Sequence, residues 1–201
     1  MRAAVFTFFL QIVLFPGLSG QAMVSIPPVP PAKWEHRTFA GKAAKASMEV
    51  LIMEGFTSTI MILLPKSITN WPEKYWLRFG SNFKLAYTLP PVWDKDPWAI
   101  NYIGHPYQGA VFFNSLRSQN CSLLASACFN IFHTFLWEYG IEAIMERPSA
   151  QDLIITPITG IAFGELFNYL TKIMRRGGFS IGEKVLVTLI NPSYVFNNGY
   201  R

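Results

Sequence analysis

The chain has 201 residues, of which 51% are hydrophobic and only 14% charged, against roughly 25% charged in an average globular protein. This excludes intrinsic disorder and leaves an apolar soluble domain or a membrane-associated one. The net charge of +5 comes in no basic run, so no nucleic-acid partner is expected, and two cysteines exclude a disulfide framework or a four-thiolate zinc site.

The N-terminus reads as a targeting segment. Met1-Arg2 is a short positive region, Ala3 to Phe15 is uncharged and apolar, and Pro16-Gly17 breaks the run. Gly20 and Ala22 are small residues at the positions a signal peptidase reads, so residues 1–22 are expected to be a secretory signal peptide cleaved after Ala22. The alternative is an uncleaved N-terminal membrane anchor. No cysteine follows the apolar run, which argues against a lipoprotein. The expected location is exported, in the periplasm or associated with the outer membrane.

Residues 23–37 carry four prolines between Val24 and Pro31 and are expected as an extended linker. A helix is predicted from Thr38 to Leu64, with Ala43, Ala44, Met48, Leu51 and Ile52 at helical spacing and Pro65 ending it. Ser67 to Ile100 is expected to be largely irregular, with Pro72, Pro90, Pro91 and Pro97 and with Trp71, Trp76, Trp93 and Trp98. A short helix is predicted within it over 75–87. Pro106 to Arg117 reads as a helix with proline in its first turn. Asn120 is expected to cap a long helix running through Met145, and Ser149 with Asp152 to open the next. Arg175-Arg176 and Gly177-Gly178 end that helix. Ser180 and Glu183 open a last helix, which Asn191-Pro192 terminates. No alternating strand pattern of useful length precedes Tyr194.

The expected fold is therefore all-α. It is a compact bundle of five or six helices over residues 38–192 with an aromatic, proline-rich irregular segment and a tail over 193–201. Cys121 and Cys128 are seven residues apart, about 10.5 Å along a helix, too far to bridge. They share a face with Leu124, Ala125, Phe132 and Phe135 and are expected in the core, with no disulfide-linked partner. Ser118 to Trp137 has 20 residues without a formal charge, long enough to span a bilayer, but Gln119, Asn120, Asn130 and His133 dilute it. Thr156, Gly160 and Gly164 form a row of small residues that lets helices approach closely in lipid or in water. Peripheral membrane association is favoured over polytopic insertion.

Three polar groups interrupt the apolar helices. Asn101, His105-Pro106-Tyr107 and Gly109 form the first; Trp137-Glu138-Tyr139, Glu142 and Glu146 the second; Pro148-Ser149, Asp152-Leu153-Ile154, Thr156-Pro157, Gly160 and Gly164-Glu165 the third. With these elements, the stretch from Asp96 to Glu165 resembles an uncharacterised bacterial domain-of-unknown-function family of exported Gram-negative envelope proteins. The resemblance implies an envelope location, a domain end at Asn191-Pro192, and relatives that continue from there into a longer, β-rich region.

The chemistry of these residues admits two readings. Glu138, Glu142 and Glu146 fall within about 80° of arc on one helical face, where buried carboxylates repel one another and need a cation, a base or raised pKa values. No Glu-x-x-His pair of the di-metal bundle type occurs, and His36, His105 and His133 lack zinc-ligand spacing, so neither metal nor cofactor is expected. The favoured reading is a polar structural network of Asn101, His105, Tyr107, Glu138, Glu142, Asp152 and Glu165, with Arg147 among the donors and helix packing through Thr156, Gly160 and Gly164. The expected function is a non-catalytic envelope module that docks a membrane surface or an envelope protein. The alternative is a lipid or glycan hydrolase using His105 with Glu138 or Glu142.

Overall fold

The computed structural model describes residues 37–69, 78–93 and 95–200. The expected signal peptide, the expected linker up to residue 36, and Trp71 and Trp76 lie outside these residues.

The described residues are helical, with a single parallel bridge between Val92 and Ser149 and no named strand. Eight α-helices occur among them: α1 (Phe39–Leu63), α2 (Lys66–Thr69), α3 (Phe79–Thr88), α4 (His105–Arg117), α5 (Leu123–Leu136), α6 (Asp152–Arg175), α7 (Ile181–Ile190) and α8 (Pro192–Asn198). That exceeds the five or six expected from sequence by two short helices, Lys66–Thr69 and Pro192–Asn198, and one expected helix is shorter. Lys66–Thr69 forms a short turn of its own after Pro65. The long helix expected through Met145 stops at Leu136. Asn191-Pro192 ends α7 as expected and also starts α8, with Asn191 Oδ1 accepting the Tyr194 amide at 3.1 Å. The segment over 193–201 is thus mostly helix rather than tail, and it buries Ser193, Tyr194 and Asn197.

Caps set several boundaries. Thr38 Oγ1 accepts the Gly41 amide at 3.2 Å and starts α1. Ser122 Oγ, rather than Asn120, caps α5 by accepting the Ala125 amide at 3.1 Å; Asn120 takes a left-handed φ of 59° in the turn before it. Ser180 and Glu183 close a reciprocal box at the start of α7, each side chain accepting the other's amide, at 3.3 and 2.9 Å.

Helix α4 lies at the centre, touching α1, α5, α6 and α8, and it packs most extensively against α6. Gly109 and Gly160 make that contact backbone to backbone. A Cβ on Gly109 would lie 2.2 Å from the Thr156 carbonyl oxygen, and one on Gly160 would lie 2.5 Å from the Gly109 carbonyl carbon. One apolar cluster joins Ala46 and Val50 of α1 to Phe112 and Leu116 of α4, Cys121 in the turn that follows, and Phe129 of α5. A second holds Phe179, Val187 and Tyr194.

The outward surface departs from the expected core. Met48, Leu51 and Ile52 of α1 are exposed, while Glu49 and Glu54 are buried beside Ala46 and Val50. On α5 the stripe of Leu124, Phe132 and Phe135 faces out, and Cys128 with it. The inward face of α5 carries Ser126, Asn130, His133 and Thr134. Only Cys121, which precedes the helix, is buried as expected. Helical periodicity identifies an apolar stripe but not which side of it meets protein.

Candidate functional site

Two π-helical turns shape the polar interior. Residues Ile100–Gly104 form the first, and the His105 amide donates to the Ile100 carbonyl five residues back. Residues Trp137–Ile141 form the second, closed by the Glu142 amide on the Trp137 carbonyl and followed by a 3₁₀ turn over Glu142–Ile144. Each wide turn inserts an extra residue into the helical register, a feature that recurs at functional sites. Carbonyls of this region find partners on α3: Tyr87 Oη donates to Tyr139 O at 2.8 Å, and Asn82 Nδ2 donates to Ile144 O and Met145 O at 3.0 and 2.8 Å. This is why the helix predicted through Met145 is interrupted.

The break separates the three glutamates that the sequence places on one face. Glu138 joins His105 and Asp152, with one donor or acceptor atom of each within 4.8 Å of the others. His105 Nε2 and Asp152 Oδ2 are 3.7 Å apart, longer than a hydrogen bond. Glu142 and Glu146 instead meet Asp96 in a second set of the same size. His105, Glu138, Asp152 and Glu142 are 4%, 0%, 1% and 5% exposed.

Three elements fix the first set. His105 begins α4, Glu138 sits in the second π turn and Asp152 begins α6. The Ser149 amide donates to Glu138 Oε2 at 2.7 Å, and Ser149 Oγ accepts the Asp152 amide at 3.1 Å. The serine therefore supplies half of the expected capping box, while the Asp152 carboxylate turns to His105. Val92 steadies this corner, its amide donating to Pro148 O at 2.9 Å and its carbonyl accepting the Ala150 amide at 2.7 Å.

Burial pushes the Glu142 carboxyl well above the usual carboxylate range, and Glu138, Glu146, Asp152 and Asp96 push the same way by repulsion. Its Oε2 has no hydrogen-bond partner among the described residues. His105 and Glu142 both line a cavity of about 360 Å³, otherwise walled by groups such as Met53, Ile103, Val111 and Trp137.

The remaining residues singled out from sequence lie elsewhere. Asn101 is buried in the first π turn. Tyr107 Oη donates to Leu189 O at 2.7 Å, tying α4 to α7. Arg147 donates to Pro90 O rather than to a carboxylate. Glu165 receives a two-pronged bond from Arg117, at 2.9 and 3.0 Å, on a half-exposed face. Gly164 would place a Cβ 2.6 Å from Phe113 Cδ1, and Thr156 is buried one turn before Gly160.

Sequence reasoning passed over a second polar cluster at α1. Asn197 Nδ2 donates to Glu49 Oε2 at 3.1 Å and to Ser118 Oγ at 2.8 Å, and Lys45 donates to Asn197 Oδ1. Its signal was the placement of Glu49 on the same helical face as Ala46 and Val50.

Residues 90–193, just over half of the chain, match a family described as "Domain of unknown function (DUF3943)". The matched region contains Asp96, His105, Glu138, Glu142, Glu146 and Asp152. No curated protein and no solved structure matches the chain.

Proposed function

The chain belongs to the DUF3943 family, a domain of unknown function, and on that premise we propose that it is a non-catalytic, membrane-associated helical module of the bacterial cell envelope, seated on lipid by its outer apolar faces. One observation carries this reading: polar residues line the interior and large apolar residues cover the outside of the two longest helices. Of α1, only Ala46, Glu49, Val50 and Glu54 are buried, while Leu51, Ile52, Phe56, Ile60 and Leu63 are exposed. Of α6, the buried residues are Asp152, Thr156, Pro157, Gly160, Gly164, Asn168 and Thr171, while Ile154, Ile158, Leu166 and Ile173 are exposed. Water penalises such a distribution, and a hydrocarbon surface rewards it.

Both helices are long and apolar enough to cross a bilayer. Trp93, Trp98 and Tyr102 are exposed on the aromatic segment, a composition suited to the headgroup region. Export rests on the N-terminal sequence.

Liposome flotation tests the reading. The chain should float with vesicles of phosphatidylethanolamine and phosphatidylglycerol, and the variant Leu51→Glu/Phe56→Glu/Ile158→Glu should lose most of that binding. A chain that stays monomeric in the unbound fraction would defeat the proposal, and one that needs an envelope protein to float would move docking from lipid to that partner.

The hydrolase reading keeps one observation in its favour, the cavity that His105 and Glu142 both line. It requires turnover of phospholipid or glycan by the intact chain, removed by His105→Ala in a folded protein.

A further inference from the structure

The His105, Glu138 and Asp152 set gathers metal-ligating side chains from three separate elements in the interior. Two carboxylates at 0% and 1% exposure and one imidazole at 4% each offer an atom within 4.8 Å of the others. An imidazole and carboxylates converging in this way are the donor set of a divalent transition metal.

The geometry suits one. Donors held by a small divalent ion at about 2.0–2.2 Å lie roughly 3.0–3.5 Å apart. The 3.7 Å between His105 Nε2 and Asp152 Oδ2 is close to such an edge and beyond hydrogen-bond length. Two independent features point the same way. Glu142 is 5% exposed, lines the adjoining cavity and leaves Oε2 without a hydrogen-bond partner among the described residues. Two π-helical turns, at Ile100–Gly104 and Trp137–Ile141, deliver His105 and Glu138 to the same place.

We propose that His105, Glu138 and Asp152 bind one divalent first-row transition-metal ion, with Glu142 beside it on the side of the cavity. An imidazole with two carboxylates selects ions such as Zn²⁺, Mn²⁺ or Fe²⁺ over Mg²⁺ and Ca²⁺, which prefer oxygen ligands alone. Three protein ligands leave coordination positions for water or for a small ligand entering from the cavity. Sequence spacing hid the set, because its members come from α4, a π turn and α6 rather than from one helix.

The test uses the full chain, untagged, in detergent and stripped with EDTA, so its outcome is independent of vesicle binding. After buffer exchange it should retain one equivalent of Zn²⁺, which excess Mg²⁺ or Ca²⁺ does not displace. Mn²⁺ bound in its place should show imidazole nitrogen coupling in pulsed electron paramagnetic resonance. His105→Gln and Glu138→Gln should each weaken Zn²⁺ binding by at least the ~10–100-fold that loss of a supporting residue costs a metal site. Glu165→Gln, at the distant Arg117 pair, should leave it unchanged. A helical chain that retains no stoichiometric Zn²⁺, a Mn²⁺ spectrum without nitrogen coupling, or a His105→Gln variant that binds like the parent would each overturn the proposal. Should the variants fail to fold, the nitrogen coupling on the unmodified chain decides.

Discussion

His133 illustrates how one polar side chain is accommodated in the inward face of a helix. It is 1% exposed, ringed by Phe112, Phe129 and Phe132, and its Nε2 shares a hydrogen bond with Ser47 Oγ at 3.1 Å. Burial pulls its pKa from 6.5 to about 4. Because the folded value is depressed, the unfolded chain binds the proton first as pH falls. Stability is therefore complete above pH 6.5 and declines toward pH 4. At about 1.4 kcal/mol per pKa unit, this one group contributes a loss on the order of 3 kcal/mol. His133→Gln keeps a hydrogen-bonding group for Ser47 without the titration. Urea titrations from pH 7 to pH 4 should give the parent a steeper fall than the variant, and parallel curves would place the acid sensitivity elsewhere.

At the scale of elements, the contact between α4 and α6 rests on absent side chains. Gly109 and Gly160 face one another across the interface, and any Cβ there meets backbone, which cannot rotate aside. Gly160→Ala and Gly109→Ala should each cost about 1–3 kcal/mol, the usual range for overpacking. Gly55→Ala is the control: the same helical residue type with nothing within 4 Å of its Cβ, it should gain roughly 0.5–1 kcal/mol from propensity. Thermal melts that rank Gly160→Ala with Gly55→Ala would mean the helices separate easily. The small-residue row was legible as a motif, since its spacing is local. Its partner was not, because Gly109 is 51 positions away from Gly160 and only the tertiary approach pairs them.

For the whole molecule, among the described residues, polar side chains share the interior with the apolar clusters while many large apolar side chains lie outside. Polar interiors are costly unless fully bonded, so the Asn, Ser, Glu and His inside this bundle depend on one another. Export is what the N-terminal sequence predicts. Intact mass of the envelope-fraction protein should correspond to a chain starting at Met23. A mass that retains Met1 would mean that the apolar run from Ala3 to Phe15 stays as an anchor.

The all-helical class was readable from sequence alone, because helical spacing, caps such as Thr38 and Ser180, and breakers such as Pro65 and Gly177 act over three or four residues. So was the concentration of polar residues at Asn101, His105, Glu138, Glu142 and Asp152. Tertiary structure alone decided which face of α1 and α5 turned inward, since a stripe of Leu51, Ile52, Phe132 and Phe135 is equally periodic whether it meets protein or lipid. It also decided that the helix after Leu136 widens into a π turn, because the partners that take up its carbonyls, Tyr87 and Asn82, come from α3. That single break sends Glu138 to His105 and Asp152, and Glu142 to Asp96. Uniform four-residue spacing cannot foretell this division, because it depends on contacts between residues far apart in the chain.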